Sequence, residues 1–116
     1  MKKTVTLKEN HLFRRAYQRG KTAADGRLAL YVRRNGQRNN RIGFTVSTKV
    51  GCAVVRNRVR RRLREIYRVH EDRLISGVDV VVVARVRAAE SRYGQLERSF
   101  LKLAGRLDLL NKEETP

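Results

Sequence analysis

Apolar side chains recur at helical spacing in three separate segments of the chain. Residues 8–19 and residues 92–110 each carry them along one face, and a third run begins at Val54 or Val55. The apolar stripe of this third segment comprises Val55, Val59, Leu63, Ile66, Tyr67 and His70. The pattern therefore predicts three amphipathic helices that pack against a core.

Residues at the ends of these segments indicate where the first two helices begin and end. Thr6 and Glu9 have the spacing of a capping box, in which two side chains bond the free amides at a helix start. Gly20 is well placed to end the first helix, and the pair Ser76 and Gly77 follows the second. The first helix is therefore expected to be short.

Alternating apolar and polar side chains, which are typical of half-buried strands, lie between the first two helices. Residues 28–33 and 42–47 alternate in this way and are predicted to pair as a hairpin, while residues 21–25 are a candidate short strand. Residues 78–84 are almost continuously apolar, which favours a central strand covered on both faces. The order α-β-β-β-α-β-α predicts an α+β fold with a mixed sheet packed with helices.

The amino-acid composition gives the chain a strong positive charge. The chain has 116 residues, and we predict a single domain over residues 1–116 that ends in a short polar tail at 111–116. Lysine and arginine number 28 against 11 acidic residues, which gives a net charge of +17. Because excess like charge opposes folding, this balance favours a polyanionic partner. Nucleic acid and an anionic membrane surface are the two alternatives, and the preference for arginine over lysine also fits a GC-rich genome.

Several features of the sequence indicate a cytoplasmic protein. No apolar run approaches the roughly 18 residues that a transmembrane helix requires. The first residues lack the apolar stretch of a secretory signal. The single cysteine, Cys52, cannot form an internal disulfide. We therefore expect a cytoplasmic location and no membrane partner.

The segment Arg56 to Arg68, with the sequence RNRVRRRLREIYR, concentrates the charge on the second predicted helix. Seven of its thirteen residues are arginine, and Glu65 is its one acid. The positions on the side away from the apolar stripe are Asn57, Arg60, Arg61, Arg64 and Arg68. A solvated helix face usually mixes acids with bases, because like charges at this spacing destabilise a helix. A row of arginines instead matches a row of backbone phosphates, so we interpret this face as a polyanion-binding surface.

The residues from Lys49 to Arg61, KVGCAVVRNRVRR, resemble the signature of the bacterial ribonuclease P protein family, and the resemblance extends from about Thr6 to Leu110. It implies a ribonucleoprotein that removes the 5′ leader from precursor tRNA. In that enzyme the RNA partner carries the active site and the Mg²⁺ ions, and no protein partner is implied. The resemblance also implies a left-handed β-α-β crossover. It assigns catalytic-RNA binding to Lys49, Arg56, Asn57, Arg58, Arg60, Arg61, Arg64 and Arg68.

A second surface is expected on the polar face of the two alternating strands. That face carries Ala29, Tyr31, Gly43, Thr45 and Ser47, and the first helix can place two aromatic rings over it. The resemblance assigns a 5′-leader-binding cleft to Phe13, Tyr17, Tyr31, Thr45 and Ser47. Aromatic rings beside a basic surface hold single strands by stacking on bases. The alternative is that Phe13 and Tyr17 only dock the first helix onto the sheet.

The chain departs from the family pattern at two positions. Thr48 stands where a lysine is frequent, so one expected cation is absent. Tyr17 stands where phenylalanine is frequent, a change that keeps the ring.

Catalysis by the protein itself has little support in the sequence. The two histidines, His11 and His70, are far apart, and no spacing of histidines, cysteines or carboxylates matches a metal site or an acid–base pair. Cys52 precedes a helix and could be a reactive thiol, although packing is the simpler interpretation. The other functions considered are a ribosomal or other structural RNA-binding protein and a self-sufficient nuclease.

Overall fold

The computed structural model describes residues 4–7 and 9–111 as five strands and three helices. The strands are β1 (Thr4–Thr6), β2 (Lys21–Ala24), β3 (Leu28–Arg34), β4 (Asn40–Val46) and β5 (Val78–Ala84). The helices are α1 (Asn10–Arg19), α2 (Ala53–His70) and α3 (Tyr93–Arg106), with short 3-10 turns at 48–50, 71–73 and 86–90. The predicted α+β class and all three predicted helices are confirmed.

The five strands form one mixed sheet in the order β1-β4-β5-β3-β2. β5 lies at its centre, parallel to β4 and antiparallel to β3, as its apolar sequence predicts. The predicted hairpin between β3 and β4 is wrong, because β5 lies between these two strands. The loop that joins them is fixed to β5, since the side-chain Nδ2 of Asn35 donates to the carbonyl of Asn39 at 3.1 Å and to a carboxylate oxygen of Asp79 at 3.0 Å.

The connection from β4 through α2 to β5 joins two adjacent parallel strands. The β-α-β unit that the family resemblance implies is therefore present. Its helix is the one that carries the arginine-rich segment.

The strand β1 was not predicted, because the sequence pattern assigned Thr6 to a capping box at the start of the first helix. Thr6 pairs with Ile42 in the sheet, and α1 begins after Glu9, which makes no side-chain cap bond. The capping-box prediction is therefore wrong. A three-residue strand is too short to show a period, so only its pairing with β4 reveals it.

The two faces of the sheet are covered by different helices. α2 and α3 pack on the face with Leu28, Leu30 and Ile42, which forms the larger core. α1 packs on the opposite face through Ala16, which contacts a smaller cluster around Val81. The alternation in β3 and β4 therefore predicted the two faces correctly.

The third helix is shorter than its apolar spacing predicts. It ends at Arg106 rather than at residue 110, and Asp108 has a left-handed backbone with φ of 55°. Leu109 remains buried because the chain turns back, and its carbonyl accepts a hydrogen bond from the amide of Ile75 at 2.8 Å. The predicted polar tail lies outside the described residues from position 112 onward.

Candidate RNA interface

The arginine-rich helix α2 is anchored to the sheet by its apolar stripe. Val59, Leu63, Ile66 and Tyr67 are buried, as the sequence predicts. The Tyr67 hydroxyl also bonds the Thr4 hydroxyl at 2.8 Å, which fixes the helix to β1. His70 is the last residue of the stripe and lies at the edge of the core. Its Nε2 lies 2.9 Å from a Glu97 carboxylate oxygen. This anchoring gives the outer face of α2 a rigid backbone.

The outer face of α2 carries the five predicted polar residues, which we call the arginine ladder: Asn57, Arg60, Arg61, Arg64 and Arg68. Four of them are exposed and Arg60 is half-buried, and the Arg60 Nη1 donates to the Asn57 side-chain oxygen at 3.0 Å. A concavity of about 270 Å³ lies between Asn57, Arg60, Arg61 and Arg64. Within residues 4–7 and 9–111, Arg61 and Arg64 make no hydrogen bond or ion pair. Their guanidinium groups are therefore available to an external anion.

Arg68 is held differently from the rest of the ladder. Its Nε donates to a Glu65 carboxylate oxygen at 3.0 Å, and its Nη2 donates to the other oxygen. This hydrogen bonding by Arg68 holds the pKa of the Glu65 carboxyl below its usual value. The positive charge of Arg68 is thus partly balanced within the protein.

Three other arginines of α2, which we call the inward arginines, bond backbone carbonyls of the protein itself. They are Arg56, whose Nε donates to Gly51 at 3.2 Å, Arg58, whose Nη2 donates to Ala89 at 3.4 Å, and Arg62, whose Nη1 donates to Ser91 at 3.1 Å. Two of these, Arg56 and Arg58, are among the residues to which the family resemblance assigns RNA binding, although the helical projection leaves both off the outer face of α2. The structure directs Arg56 to Gly51, just before α2, and Arg58 to the turn at 86–90, partners that the sequence did not indicate.

The segment before α2 places two further candidate residues at the surface. Lys49 is exposed in the 3-10 turn that precedes the helix. Cys52 is the exposed N-cap residue, so the interpretation that it serves packing is wrong. The pKa of its thiol lies below the usual value, because the backbone amides of Val55 and Val54 point toward it.

The five residues Phe13, Tyr17, Tyr31, Thr45 and Ser47, which we call the aromatic cleft, lie on the α1 side of the sheet. The Tyr17 and Tyr31 rings meet edge to face, with centroids 4.9 Å apart and planes at 86°. The Tyr17 hydroxyl lies 2.9 Å from the Thr45 hydroxyl, and Tyr17 keeps 38% of its surface exposed. Ser47 is exposed just beyond the end of β4. Tyr17, Tyr31 and Thr45 therefore contact one another on this face, and Tyr17 is partly open to solvent.

Phe13 occupies a different position from the two tyrosines. It is partly buried in the smaller core, and its ring lies directly over Gly43. A Cβ added to Gly43 would lie 2.6 Å from the ring carbons Cε1 and Cζ. Phe13 therefore docks α1 onto the sheet, as the alternative interpretation of the sequence holds.

Comparison with known proteins assigns the family. Residues 1–108 match the family model described as Ribonuclease P. The chain belongs to the ribonuclease P protein family. It is 42% identical over 112 residues to the ribonuclease P protein component of Natranaerobius thermophilus, an alignment that covers 97% of each chain. It is 39% identical over 111 residues to that of Alkaliphilus oremlandii, covering 96% of this chain and 97% of the relative.

Solved structures of ribonuclease P proteins have the same fold. The Staphylococcus aureus protein superposes with a TM-score of 0.85 at 30% identity, covering 91% of this chain and 97% of that one. The Thermotoga maritima protein superposes with a TM-score of 0.79 at 28% identity, covering 87% and 96%. The five-stranded mixed sheet and three helices are therefore the ribonuclease P protein fold.

Two further features concern the part of the chain that the structure describes. It brings together no group of three or more histidine, cysteine, aspartate or glutamate side chains able to hold a metal ion. None of its helices is both long enough and apolar enough to cross a membrane.

Proposed function

We propose that this chain is the protein component of ribonuclease P. It binds the catalytic RNA subunit and the 5′ leader of precursor tRNA, and it assists the endonucleolytic cut that forms the mature 5′ end of the tRNA. The observation that carries the proposal is the pairing of two surfaces, the unpaired arginines of a rigid helix and an open aromatic cleft on the other side of the sheet.

The arginine ladder binds the backbone of the catalytic RNA. Arg61 and Arg64 have no competing acceptor among the described residues, and their planar guanidinium groups bond phosphates in a bidentate manner. Asn57 and Arg60 line the same concavity and add donors to it. Such contacts position the protein on RNA without reading its sequence.

The remaining residues that the sequence assigns to this interface have supporting roles. Arg68 shares its charge with Glu65, so it contributes less to phosphate binding than Arg61. Arg56 and Arg58 orient α2 through their bonds to backbone carbonyls. Lys49, exposed before the helix, extends the positive surface toward the end of β4.

The aromatic cleft binds the leader as a single strand. Stacking of a base on Tyr17 or Tyr31 contributes about 1–3 kcal/mol, with little dependence on sequence. Thr45 and Ser47 supply hydroxyl groups that can donate to or accept from bases and riboses. Phe13 supports the cleft by fixing α1, rather than by direct contact with the leader.

The chemical step belongs to the RNA subunit. The Mg²⁺ ions would likewise be supplied through the RNA, and the protein supplies affinity and orientation for the substrate. Of the two histidines, His70 is engaged with Glu97 and His11 with Glu9, which leaves neither placed beside a candidate nucleophile. The enzyme acts in the cytoplasm, where precursor tRNA is processed.

The proposal is tested by leader-dependent affinity in the reconstituted holoenzyme. We expect Tyr31→Ala to weaken binding of precursor tRNA by about 1–3 kcal/mol, the contribution of one stack, and to leave mature tRNA unaffected. The contrast is Tyr93→Ala, which removes a partly buried tyrosine beside Arg61, Arg64 and Arg68 of the ladder, so that any loss of binding should be the same for precursor and mature tRNA. Equal losses from Tyr31→Ala for precursor and mature tRNA would contradict leader binding in the cleft.

A further inference from the structure

A second, larger concavity flanks the arginine ladder, between α2 and the start of α3. It has a volume of about 450 Å³, and we call it the Tyr93 pocket. Its lining residues are Arg61, Arg62, Arg64, Glu65, Arg68 and Tyr93. The volume lies within the range of about 300–1,000 Å³ that is usual for sites of small ligands. Arg61 and Arg64 also line the concavity of the ladder, so the two sites are continuous.

Hydrogen bonds within the protein fix the walls of the Tyr93 pocket. Nη1 of Arg62 donates to the carbonyl of Ser91 at 3.1 Å, which ties the segment before α3 to α2. The backbone amide of Arg92 donates to the side-chain oxygen of Gln95 at 2.8 Å, which caps the first turn of α3. Tyr93 is the first residue of that turn, and it is half-buried against the larger core. The backbone that carries the tyrosine ring is therefore fixed at the edge of the ladder.

The pocket differs from the ladder because it contains an aromatic ring and a carboxylate. Both carboxylate oxygens of Glu65 accept hydrogen bonds from Arg68, and this bonding holds the pKa of the Glu65 carboxyl below its usual value. The carboxylate is therefore ionised near neutral pH, and it repels a phosphate placed beside it. Each of its oxygens has a further lone pair that can accept a hydrogen bond from a ligand. The pocket thus suits a neutral ligand with a flat apolar surface and donor groups at its edge.

An RNA base has these properties, and its own backbone carries the negative charge that the neighbouring arginines attract. Proteins hold unpaired bases by stacking them on tyrosine rings or guanidinium planes and by hydrogen bonds to the base edges. Adenine, cytosine and guanine each carry an amino group that can donate to a carboxylate, whereas uracil carries none. With a base in the pocket, its phosphates lie next to Arg61 and Arg64, which border both concavities. The charge and the position of the pocket therefore favour RNA that is already bound along the ladder.

We propose that the Tyr93 pocket binds one unpaired base of the catalytic RNA, which stacks on Tyr93 and donates a hydrogen bond from its amino group to Glu65. This inference rests on the proposed function of the arginine ladder, because the ladder brings the RNA to the pocket. Phosphate contacts position a protein on RNA, but only base contacts read its sequence. The pocket thereby allows the protein to distinguish its own catalytic RNA from other structured RNAs.

The first test measures binding of a bacterial ribonuclease P RNA to variants of Tyr93 at several salt concentrations. We expect Tyr93→Leu, which keeps an apolar side chain at the core edge, to weaken binding by about five- to hundredfold, the contribution of one stack. Tyr93→Phe keeps the ring and should bind as the wild type does. Because a stack releases no counterions, Tyr93→Leu should leave the slope of log K against log salt unchanged. Leu101→Ala, about two turns further along α3, controls for looser packing of this helix and should not weaken binding.

Replacement of Glu65 distinguishes a bound base from a bound phosphate. Glu65→Gln removes a negative charge from a surface that binds a polyanion, so it should strengthen RNA binding if the pocket contacts phosphates alone. We expect it instead to weaken RNA binding, because a neutral amide accepts a weaker hydrogen bond from an amino group than a carboxylate does. Stronger binding by Glu65→Gln would overturn base recognition by this pocket.

Chemical probing of the RNA with dimethyl sulfate and kethoxal identifies the bound nucleotide. At saturating protein, one unpaired base should be protected by the wild type and by Tyr93→Phe but modified in the complex with Tyr93→Leu. Replacement of that nucleotide by uridine should weaken binding of the wild type and have no further effect on Tyr93→Leu, since both changes remove the same contact.

The outcomes separate this inference from the proposed function. If Tyr93→Leu exposes no base, or if it lowers the salt slope as Arg61→Gln/Arg64→Gln does, the pocket proposal fails. The ladder proposal is judged by the arginine double variant, which should lower the salt slope whatever the Tyr93 variants do. A lowered slope for that variant together with wild-type binding by Tyr93→Leu would leave the ladder in place and overturn the pocket.

Discussion

Replacement of Arg61 and Arg64 by glutamine isolates the electrostatic contribution of the arginine ladder. Neither guanidinium has a partner among the described residues, so the double variant should fold as well as the wild type. For a duplex backbone each phosphate contact contributes about 0.9 to the slope of log K against log salt. Two lost contacts should lower that slope by about 1.8. If the variant and the wild type bind the catalytic RNA equally at 1 M salt, this difference in slope makes the variant about sixtyfold weaker at 0.1 M salt.

The inward arginines provide a charge-matched control on the same helix. Arg58→Gln/Arg62→Gln also removes two positive charges, but it breaks the bonds to the carbonyls of Ala89 and Ser91. We expect this variant to lose about 1–3 kcal/mol of folding free energy and to change the salt slope much less. The assays are filter binding at several salt concentrations and urea unfolding followed by circular dichroism. Equal salt slopes for the two double variants would refute the division of α2 into outer and inward arginines.

Two other substitutions test how the fold supports these surfaces. Burial raises the pKa of the Asp25 carboxyl, but bonds from the backbone amides of Leu28 and Arg27 and from the Ser99 hydroxyl outweigh this and hold the pKa well below its usual value. Asp25→Ala should therefore cost about 2–4 kcal/mol near neutral pH, and the difference from wild type should shrink as the pH falls below about 4 in urea titrations. Gly43→Ala should cost about 1–3 kcal/mol by displacing the Phe13 ring, whereas Gly94→Ala, which meets no atom within 4 Å, should cost nothing in the same titration.

Much of the fold follows from periodicity within single segments. The apolar stripe of α2 and the alternation in β3 and β4 predicted which side chains are buried, because burial of one face is a local property of a helix or strand. Strand pairing is not local. The sequence favoured a hairpin between neighbouring strands, and only the structure shows β5 inserted between them. The strand β1 escaped prediction for the same reason, since its three residues form a strand only by pairing with β4.

The sequence predicted the kind of site, a basic helix face, better than the contacts of its individual side chains. Helical projection placed Asn57, Arg61 and Arg64 on the outer face of α2, where they lie. It left Arg58 off that face, but it could not show what Arg58 contacts, because the Ala89 carbonyl that it bonds lies 31 residues further along the chain. Likewise, no pattern in the sequence predicts that the fold brings Lys21 and Arg34 to the same concavity.

Cleavage of precursor tRNA by separated and combined components tests the central claim most directly. The protein, a bacterial ribonuclease P RNA and their mixture are each incubated with precursor tRNA at a low Mg²⁺ concentration, and the 5′ ends of the products are mapped. The account predicts no specific cleavage by the protein alone and faster formation of the mature 5′ end by the mixture than by the RNA alone. Specific 5′ cleavage by the RNA-free protein, or no acceleration when the protein is added to the RNA, would contradict it.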